Sequence, residues 1–137
     1  MKITVETTVA APLETVWRAW TEPEHITEWN VASDDWCSPR ATNDLRVGGR
    51  FNARMEAKDG SAGFDFEGTY THVEAGKKIE YMMADGRTVQ IAFAEEGTHV
   101  RVTETFDTEN ENAAELQRAG WQAILDRFGT YTEGLTQ

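Results

Sequence analysis

Three polar side chains occupy positions where the surrounding sequence pattern favours apolar ones. Glu104 lies in the alternating segment VRVTETF, on the same face as the valines and the phenylalanine. Gln117 lies in the apolar stripe of a predicted helix, and His72 shares a strand face with a run of aromatic residues. Because a buried carboxylate is costly unless it is paired or hydrogen-bonded, these positions are the first candidates for a functional role.

Glu104 and Gln117 are the two that could act together. Strand alternation places Glu104 on the side that a covering helix would occupy, and the helical wheel places Gln117 on the sheet-facing side. A carboxyl and an amide in an apolar cavity can bond each other or hold one polar group of a ligand. A low dielectric would raise the pKa of Glu104, which makes it the candidate general acid or base. The alternative is that a bulge or the open end of the cavity leaves these side chains in water.

Other catalytic chemistry finds little support in the sequence. It contains no Gly-x-Ser-x-Gly, His-Glu-x-x-His or Cys-x-x-Cys motif and no phosphate-binding loop. The three histidines lie on separate predicted elements without the spacing of metal ligands, and Cys37 has no histidine near it in sequence. We therefore predict no metal and no cofactor, and an enzymatic activity stays open but is not favoured.

Composition limits the class of protein. A chain of 137 residues, 39% apolar and with five tryptophans, predicts one domain over residues 1–137 with a real core. Its formal charge of −11 opposes phosphate backbones, so nucleic-acid binding is not expected. No apolar run approaches the roughly 20 residues of a membrane span, and the first residues lack the apolar block of a secretory signal. With a lone cysteine, these features predict a cytoplasmic protein without membrane insertion.

The elements that would position the polar residues follow from hydrophobic periodicity. Residues 1–10 alternate like a half-buried strand, and the next twenty residues predict two short helices. Residues 30–44 show little periodicity and predict a long loop. From residue 51 to residue 106 the apolar period is two, and glycine-containing turns divide it into an antiparallel meander with one apolar face.

One long helix is predicted for Asn112–Glu133, apolar on one side and with Trp121 as its largest side chain. Asn112 is expected to be its N-cap, Glu115 the partner in a capping box, and Gly134 a left-handed stop. Since the meander has one apolar face, this helix is expected to cover that face.

Four segments carry a resemblance to a known superfamily. They are TVAAPLETVWRAWTEPEHITEW, NDLRVGGRF, FEGTY and RAGWQAIL, and in this order they resemble the START-like (SRPBCC) proteins. Within that superfamily the chain is similar to the branch named after the activator of heat-shock protein 90 ATPase, in its small bacterial form. The resemblance implies an α+β helix-grip fold, in which a curved antiparallel sheet wraps around a long C-terminal helix. It also implies a cavity between sheet and helix that accepts hydrophobic ligands. The superfamily includes lipid carriers, hormone receptors, aromatic cyclases and co-chaperone domains.

The expected site therefore combines bulky inward-facing side chains with the two polar ones, and its ligand is expected to be a small hydrophobic molecule. Bulky side chains could also fill the cavity. An enzyme of the cyclase or hydrolase type using Glu104 remains an alternative, which a raised pKa of an inward Glu104 would favour. A chaperone-interaction module with a protein partner is a second alternative, which an exposed apolar patch outside the cavity mouth would favour. The predicted ligand-binding residues are Trp36, Met55, Phe64, Phe66, Tyr81, Phe93, Glu104, Gln117 and Trp121.

Overall fold

The computed structural model describes residues 1–136, which form an eight-stranded sheet and three helices. This is the predicted α+β helix-grip architecture, and the sequence-based fold class is confirmed. The elements in chain order are β1 (Lys2–Val9), α1 (Leu13–Thr21), α2 (Pro23–Trp29), β2 (Trp36–Cys37), β3 (Ala41–Asn43), β4 (Arg50–Ala57), β5 (Gly63–Glu74), β6 (Lys78–Met82), β7 (Thr88–Glu96), β8 (His99–Asp107) and α3 (Ala114–Gly134).

The sheet is antiparallel, with strand order β1-β8-β7-β6-β5-β4-β2, and β3 also pairs with β4. The first and last strands pair along their whole length, from Lys2 opposite Asp107 to Val9 opposite Val100. The outer edge of β1 is covered by α3, since Arg118 donates to the Thr4 carbonyl (3.1 Å). Side chains of the helix thus occupy part of an edge that would otherwise be open to another strand.

Alternation in β5 is interrupted by a register shift between Tyr70 and His72. Beyond this shift Val73 packs against the core, and the His72 side chain is 45% exposed. The imidazole lies 3.7 Å from the Glu74 carboxylate. His72 is therefore the solvated residue that its place near the strand end favoured, and not an inward-facing one, because a bulge changes which residues share a face.

Residues 30–44 are not one continuous loop. Trp36–Cys37 and Ala41–Asn43 form the short strands β2 and β3, and both pair with β4. Two- and three-residue strands are too short to display a period of two, which is why the sequence pattern missed them.

The long helix begins two residues later than predicted, with Ala113 as its N-cap, and no side-chain bond caps it. Asn112 instead donates its backbone N–H to the Glu109 carboxylate (2.8 Å), so the predicted capping box does not form. Gly134 belongs to the helix and has no positive φ, so the left-handed stop is also wrong. Within residues 1–136, none of the helices is long and apolar enough to cross a membrane.

The core is densest under the C-terminal half of α3. Leu125 and Phe128 are fully buried, and Phe128 meets the rings of Trp20 and Trp29 edge-on, with centroids 4.9 Å apart in both pairs. Gly129 lets the helix approach β1 closely, since an added Cβ would lie 3.4 Å from the hydroxyl of Thr7 on that strand. This close approach fixes the helix at one end of the sheet.

Candidate functional site: a pocket between the sheet and the long helix

A pocket of about 330 Å³ lies between the inner face of the sheet and the N-terminal half of α3, and it is partly open to solvent. The helix contributes Trp121 and Ile124 to its wall, and α1 and α2 contribute Trp20, Ile26 and Trp29. Strands β3 to β6 and β8 supply most of the rest of the wall, together with Asn30, Met83 and Arg87 outside the strands, and the wall is mostly aromatic and aliphatic. A concave, largely apolar space with a few polar groups is the usual form of a small-molecule site.

Six of the nine predicted ligand-binding residues line this pocket, and three do not. Phe64 is 50% exposed, so it marks the mouth of the pocket, and Glu104, 6% exposed, lies at the buried end. The six lining residues are Met55, Phe64, Phe66, Tyr81, Glu104 and Trp121.

Trp36 and Phe93 both lie outside the pocket. Trp36 is on β2 and contacts the lining residue Phe64, with ring centroids 6.0 Å apart, but does not itself line the pocket. Phe93 is buried against Trp17 and Trp20, at centroid distances of 5.3 and 5.9 Å. Helix α1 covers this part of the inner face, so an inward-facing residue there belongs to the filled core.

Gln117 is also outside the pocket, and the predicted pairing with Glu104 does not occur. Its amide oxygen accepts a hydrogen bond from the Glu109 N–H (2.9 Å), and its amide nitrogen donates to the carbonyls of Glu109 (3.1 Å) and Asn112 (2.8 Å). The side chain thereby ties the segment between β8 and α3 to the first turn of the helix. Its role is to satisfy backbone groups near the helix start, where intrahelical partners are missing.

Glu104 lies on β8, the second strand of the sheet, between Val5 of β1 and Ile91 of β7. Its carboxyl faces the pocket and has no hydrogen-bond or ion-pair partner in the described part of the chain. Burial alone raises the pKa of Glu104 to about 8. At neutral pH this side chain is therefore mostly an uncharged acid, which donates one hydrogen bond and can accept others.

Two tyrosines line the same pocket, and their hydroxyls differ in one respect. The Tyr70 hydroxyl donates to Asn43 Oδ1 (2.6 Å), and Asn43 in turn donates to the Thr21 carbonyl (2.7 Å). The Tyr81 hydroxyl has no partner within residues 1–136, although the residue is 6% exposed. Burial, followed by the charge of Glu104, raises the pKa of Tyr81 well above its usual value. Tyr81 is thus a second uncharged donor without a protein acceptor.

The sequence pattern left out several lining residues. Tyr70 continues the alternating series of β5 and could have been found from strand periodicity. Phe51 could have been found in the same way, and Gly68 explains how its ring fits, since an added Cβ there would lie 2.9 Å from that ring. Trp20 and Trp29 carry no such signal, because the position of α1 and α2 over the sheet depends on packing and not on local periodicity.

The arrangement suits binding through apolar contact and neutral hydrogen bonds. Among residues 1–136 no group of three or more His, Cys, Asp and Glu side chains is placed to hold a metal ion. Arg87 also lines the pocket, and its guanidinium is paired with Asp85 (2.6 Å). The chemistry available at the buried end is therefore that of two hydroxyl-type donors, Glu104 and Tyr81, in an aromatic surrounding.

Comparisons with known proteins place this geometry in a family. Residues 10–133 match the family described as activator of Hsp90 ATPase homolog 1-like protein. The solution structure of an AHSA1-like protein from Aeromonas hydrophila is 48% identical, with 99% of this chain and 94% of that chain covered and a TM-score of 0.93. A protein from Cytophaga hutchinsonii is 50% identical, with coverages of 98% and 94% and a TM-score of 0.84. A Nitrosomonas europaea protein shares the fold at 21% identity, with coverages of 98% and 96% and a TM-score of 0.86. No curated protein matches the chain.

Proposed function

This chain belongs to the family of activator of Hsp90 ATPase homolog 1-like proteins, and we propose that it binds a small hydrophobic molecule between the sheet and α3 without catalysing a reaction. The observation that supports this most is the pocket of about 330 Å³ beside a core that is otherwise filled. Because the pocket is partly open to solvent, water can fill it when no ligand is bound, and a ligand would release that water from a wall that is mostly apolar.

The wall of the pocket indicates the kind of occupant. Three indoles, those of Trp20, Trp29 and Trp121, border the pocket together with phenylalanine rings. Such a surface favours a flat or branched apolar molecule over a sugar or a nucleotide. Under this proposal residues 1–137 act as one ligand-binding domain. We place it in the cytoplasm, where the lone, half-buried Cys37 would stay reduced.

The test is binding of an apolar fluorescent dye such as 1-anilinonaphthalene-8-sulfonate, with displacement by uncharged aromatic hydrocarbons. Met55→Trp adds bulk to the pocket wall and is expected to weaken dye binding at least tenfold while the fold survives. Met82→Trp is the matched control, because Met82 is 42% exposed and does not line the pocket. Equal dye affinity in both variants, with binding retained, would place the dye elsewhere and contradict the proposal.

An enzyme using Glu104 is the second candidate, and the raised pKa of that carboxyl favours it. A general acid or base works best when its pKa lies near the working pH, and a value of about 8 meets that condition. Its weakness is that the pocket offers Glu104 no nucleophile or activating base as a partner. Hydrolysis of an apolar ester such as p-nitrophenyl butyrate, lost in Glu104→Gln, would favour the enzyme over the binding protein.

The interaction-module alternative has less support. The large exposed apolar side chains of the described residues are scattered: Met1 before β1, Val47 in the turn before β4, Phe64 on β5, Met82 on β6, Leu116 on α3 and Leu135 just after it. Single exposed apolar residues are normal on protein surfaces and do not by themselves indicate a docking site.

A further inference from the structure

Two polar groups at the buried end of the pocket have no protein partner. The Glu104 carboxyl and the Tyr81 hydroxyl both belong to residues that are 6% exposed, and both line the pocket. Neither makes a side-chain hydrogen bond or ion pair to any residue in the range 1–136. Both groups face a pocket that is partly open to solvent, so water or the polar group of a ligand can bond to them there.

The register of the sheet makes the two groups neighbours. Glu104 on β8 faces Ile91 on β7, and Ile91 faces Ile79 on β6. Tyr81 lies two residues beyond Ile79 and on the same face, so the backbones of Glu104 and Tyr81 are two strands apart and offset by two residues, a separation of roughly 12 Å. Both long side chains rise into the pocket from there, and the charge of Glu104 is close enough to affect Tyr81.

We propose that Glu104 and Tyr81 together bind a carbonyl, or a comparable hydrogen-bond acceptor, at the buried end of a neutral and otherwise apolar ligand. This inference rests on the proposed function, since it concerns the same pocket. It goes further by assigning the two specificity-determining residues and the chemical class of the ligand.

The protonation states support two donors and no fixed charge. Burial keeps the Glu104 carboxyl protonated at neutral pH, and burial also keeps the Tyr81 hydroxyl protonated. An apolar site that holds a carboxylic acid neutral allows the acid to donate a hydrogen bond, which an ionised carboxylate cannot do. Two donors without acceptors favour a ligand that brings an acceptor, and a plain hydrocarbon would leave both unpaired.

Burial acts most on the pKa of Tyr81 and keeps its hydroxyl protonated, while of the other charged or titrating groups Tyr70 raises that pKa and Arg87 lowers it, both by less. Arg87 lines the pocket, but its guanidinium is paired with Asp85, and the Tyr70 hydroxyl is already bonded to Asn43. From α3 only Trp121 and Ile124 reach the pocket, and neither of them titrates. The pH dependence of ligand binding should therefore reflect mainly Glu104.

The experiment compares 9-fluorenone with fluorene, two rigid aromatic molecules that differ by one carbonyl. Binding is measured at pH 6 by quenching of the pocket tryptophans, and the carbonyl stretch of bound fluorenone is recorded by infrared spectroscopy. Fluorenone is expected to bind about tenfold more tightly than fluorene, because a hydrogen bond to a donor that is otherwise unpaired increases affinity by about that factor. Its carbonyl frequency should fall on binding, as expected for an oxygen that accepts hydrogen bonds.

Variants separate a hydrogen-bonding role from a structural one. Tyr81→Phe and Glu104→Leu are expected to bring the affinity ratio of fluorenone to fluorene towards one and to raise the carbonyl frequency. Glu104→Gln keeps a donor and should retain much of the preference. Tyr70→Phe is the matched control, since it removes a hydroxyl that Asn43 already satisfies and should leave the ratio high. In the unaltered protein the ratio should decline as the pH rises past 8 and Glu104 loses its proton.

Failure of this inference and failure of the proposed function give different results. Equal affinities for fluorenone and fluorene, with an unshifted carbonyl frequency, would overturn the polar pair while leaving hydrophobic binding intact. A preference for fluorenone that survives in both Tyr81→Phe and Glu104→Leu would also overturn it. If neither compound binds and the apolar dye does not bind either, the proposed function itself is contradicted, and the inference with it.

Discussion

The two ends of α3 meet the sheet in different ways. In the C-terminal half Leu125, Phe128, Gly129 and Thr132 are buried. In the N-terminal half, from Ala114 to Ile124, every residue is at least partly exposed. Leu116 in that half is 63% exposed. One helix is thus a core element at one end and the wall of a pocket at the other.

The difference comes from what lies beneath each half. Helices α1 and α2 fill the space under the C-terminal half, where Trp20 and Trp29 meet Phe128. Under the N-terminal half Trp121 stacks on Phe106 with ring centroids 4.1 Å apart, and the two short helices form only part of the pocket wall. The same two helices thus pack against one half of α3 and border the pocket beside the other half.

Polar groups follow the same division. In the packed half the Trp29 indole donates to the Ala19 carbonyl (2.9 Å), although the buried Thr132 hydroxyl has no partner. In the open half the Glu104 carboxyl and the Tyr81 hydroxyl both lack a partner among residues 1–136 and both face the pocket. The two unpartnered groups of the open half differ from the Thr132 hydroxyl in that they face a pocket that water or a ligand can enter.

The largest expected effect comes from truncating the packed half. Leu125→Ala should lower the free energy of unfolding by about 3 kcal/mol, because Leu125 is fully buried and a cavity would remain. Urea denaturation monitored by tryptophan fluorescence measures this. Leu116→Ala is the matched control on the same helix and should change stability by less than about 0.5 kcal/mol. Equal losses in the two variants would remove the distinction between the halves.

Glu104 in the open half should make the free energy of unfolding depend on pH. The pKa of Glu104 is about 8 when folded and near 4.5 when unfolded, so the native state keeps a proton that the unfolded state releases between these values. Stability should therefore fall as pH rises from 4.5 to 8, by about 2–3 kcal/mol, which is less than the full shift implies because the pocket admits water. Glu104→Gln should flatten this slope in urea titrations across pH. An unchanged slope would show that Glu104 titrates like a solvated acid.

A smaller effect of opposite sign is expected three residues along the same strand. Asp107 accepts hydrogen bonds from Lys2 (2.7 Å) and from the Thr88 N–H (2.8 Å), and the bond from Lys2 is the main cause that lowers the pKa of Asp107 to about 2. Its contribution is present above pH 3.8 and is lost as pH falls through 2. Asp107→Asn should cost about 1 kcal/mol at pH 7 and nothing near pH 2. A cost that persists in acid would mean that packing matters more than charge.

Much of the fold follows from the sequence, and the reason is periodicity. A period of two predicts the meander and the inward side of Glu104, and a helical period predicts α3 with an error of two residues at its start and one at its end. The four motif segments then specify the helix-grip arrangement. Each of these signals is local, since it depends on residues a few positions apart.

The parts of the site that were mispredicted depend on distance in three dimensions. A helical wheel gives the direction of Gln117 but not its height along the helix, and the side chain turns back to the Glu109 and Asn112 carbonyls beyond the pocket. Alternation places Phe93 inward correctly, yet α1 covers that position. Trp36 belongs to a two-residue strand that no periodic pattern can reveal.

The most direct test of the account is a ¹H–¹⁵N spectrum of the tryptophan side chains during titration with an apolar ligand such as fluorenone. Trp20, Trp29 and Trp121 line the pocket, whereas Trp17 packs against Phe93 outside it. If a ligand occupies this pocket, the indole signals of the three lining residues should shift together and saturate at one ligand per protein, while that of Trp17 stays in place. Shifts confined to Trp17 or to exposed surface residues, with the three pocket indoles unmoved, would contradict it.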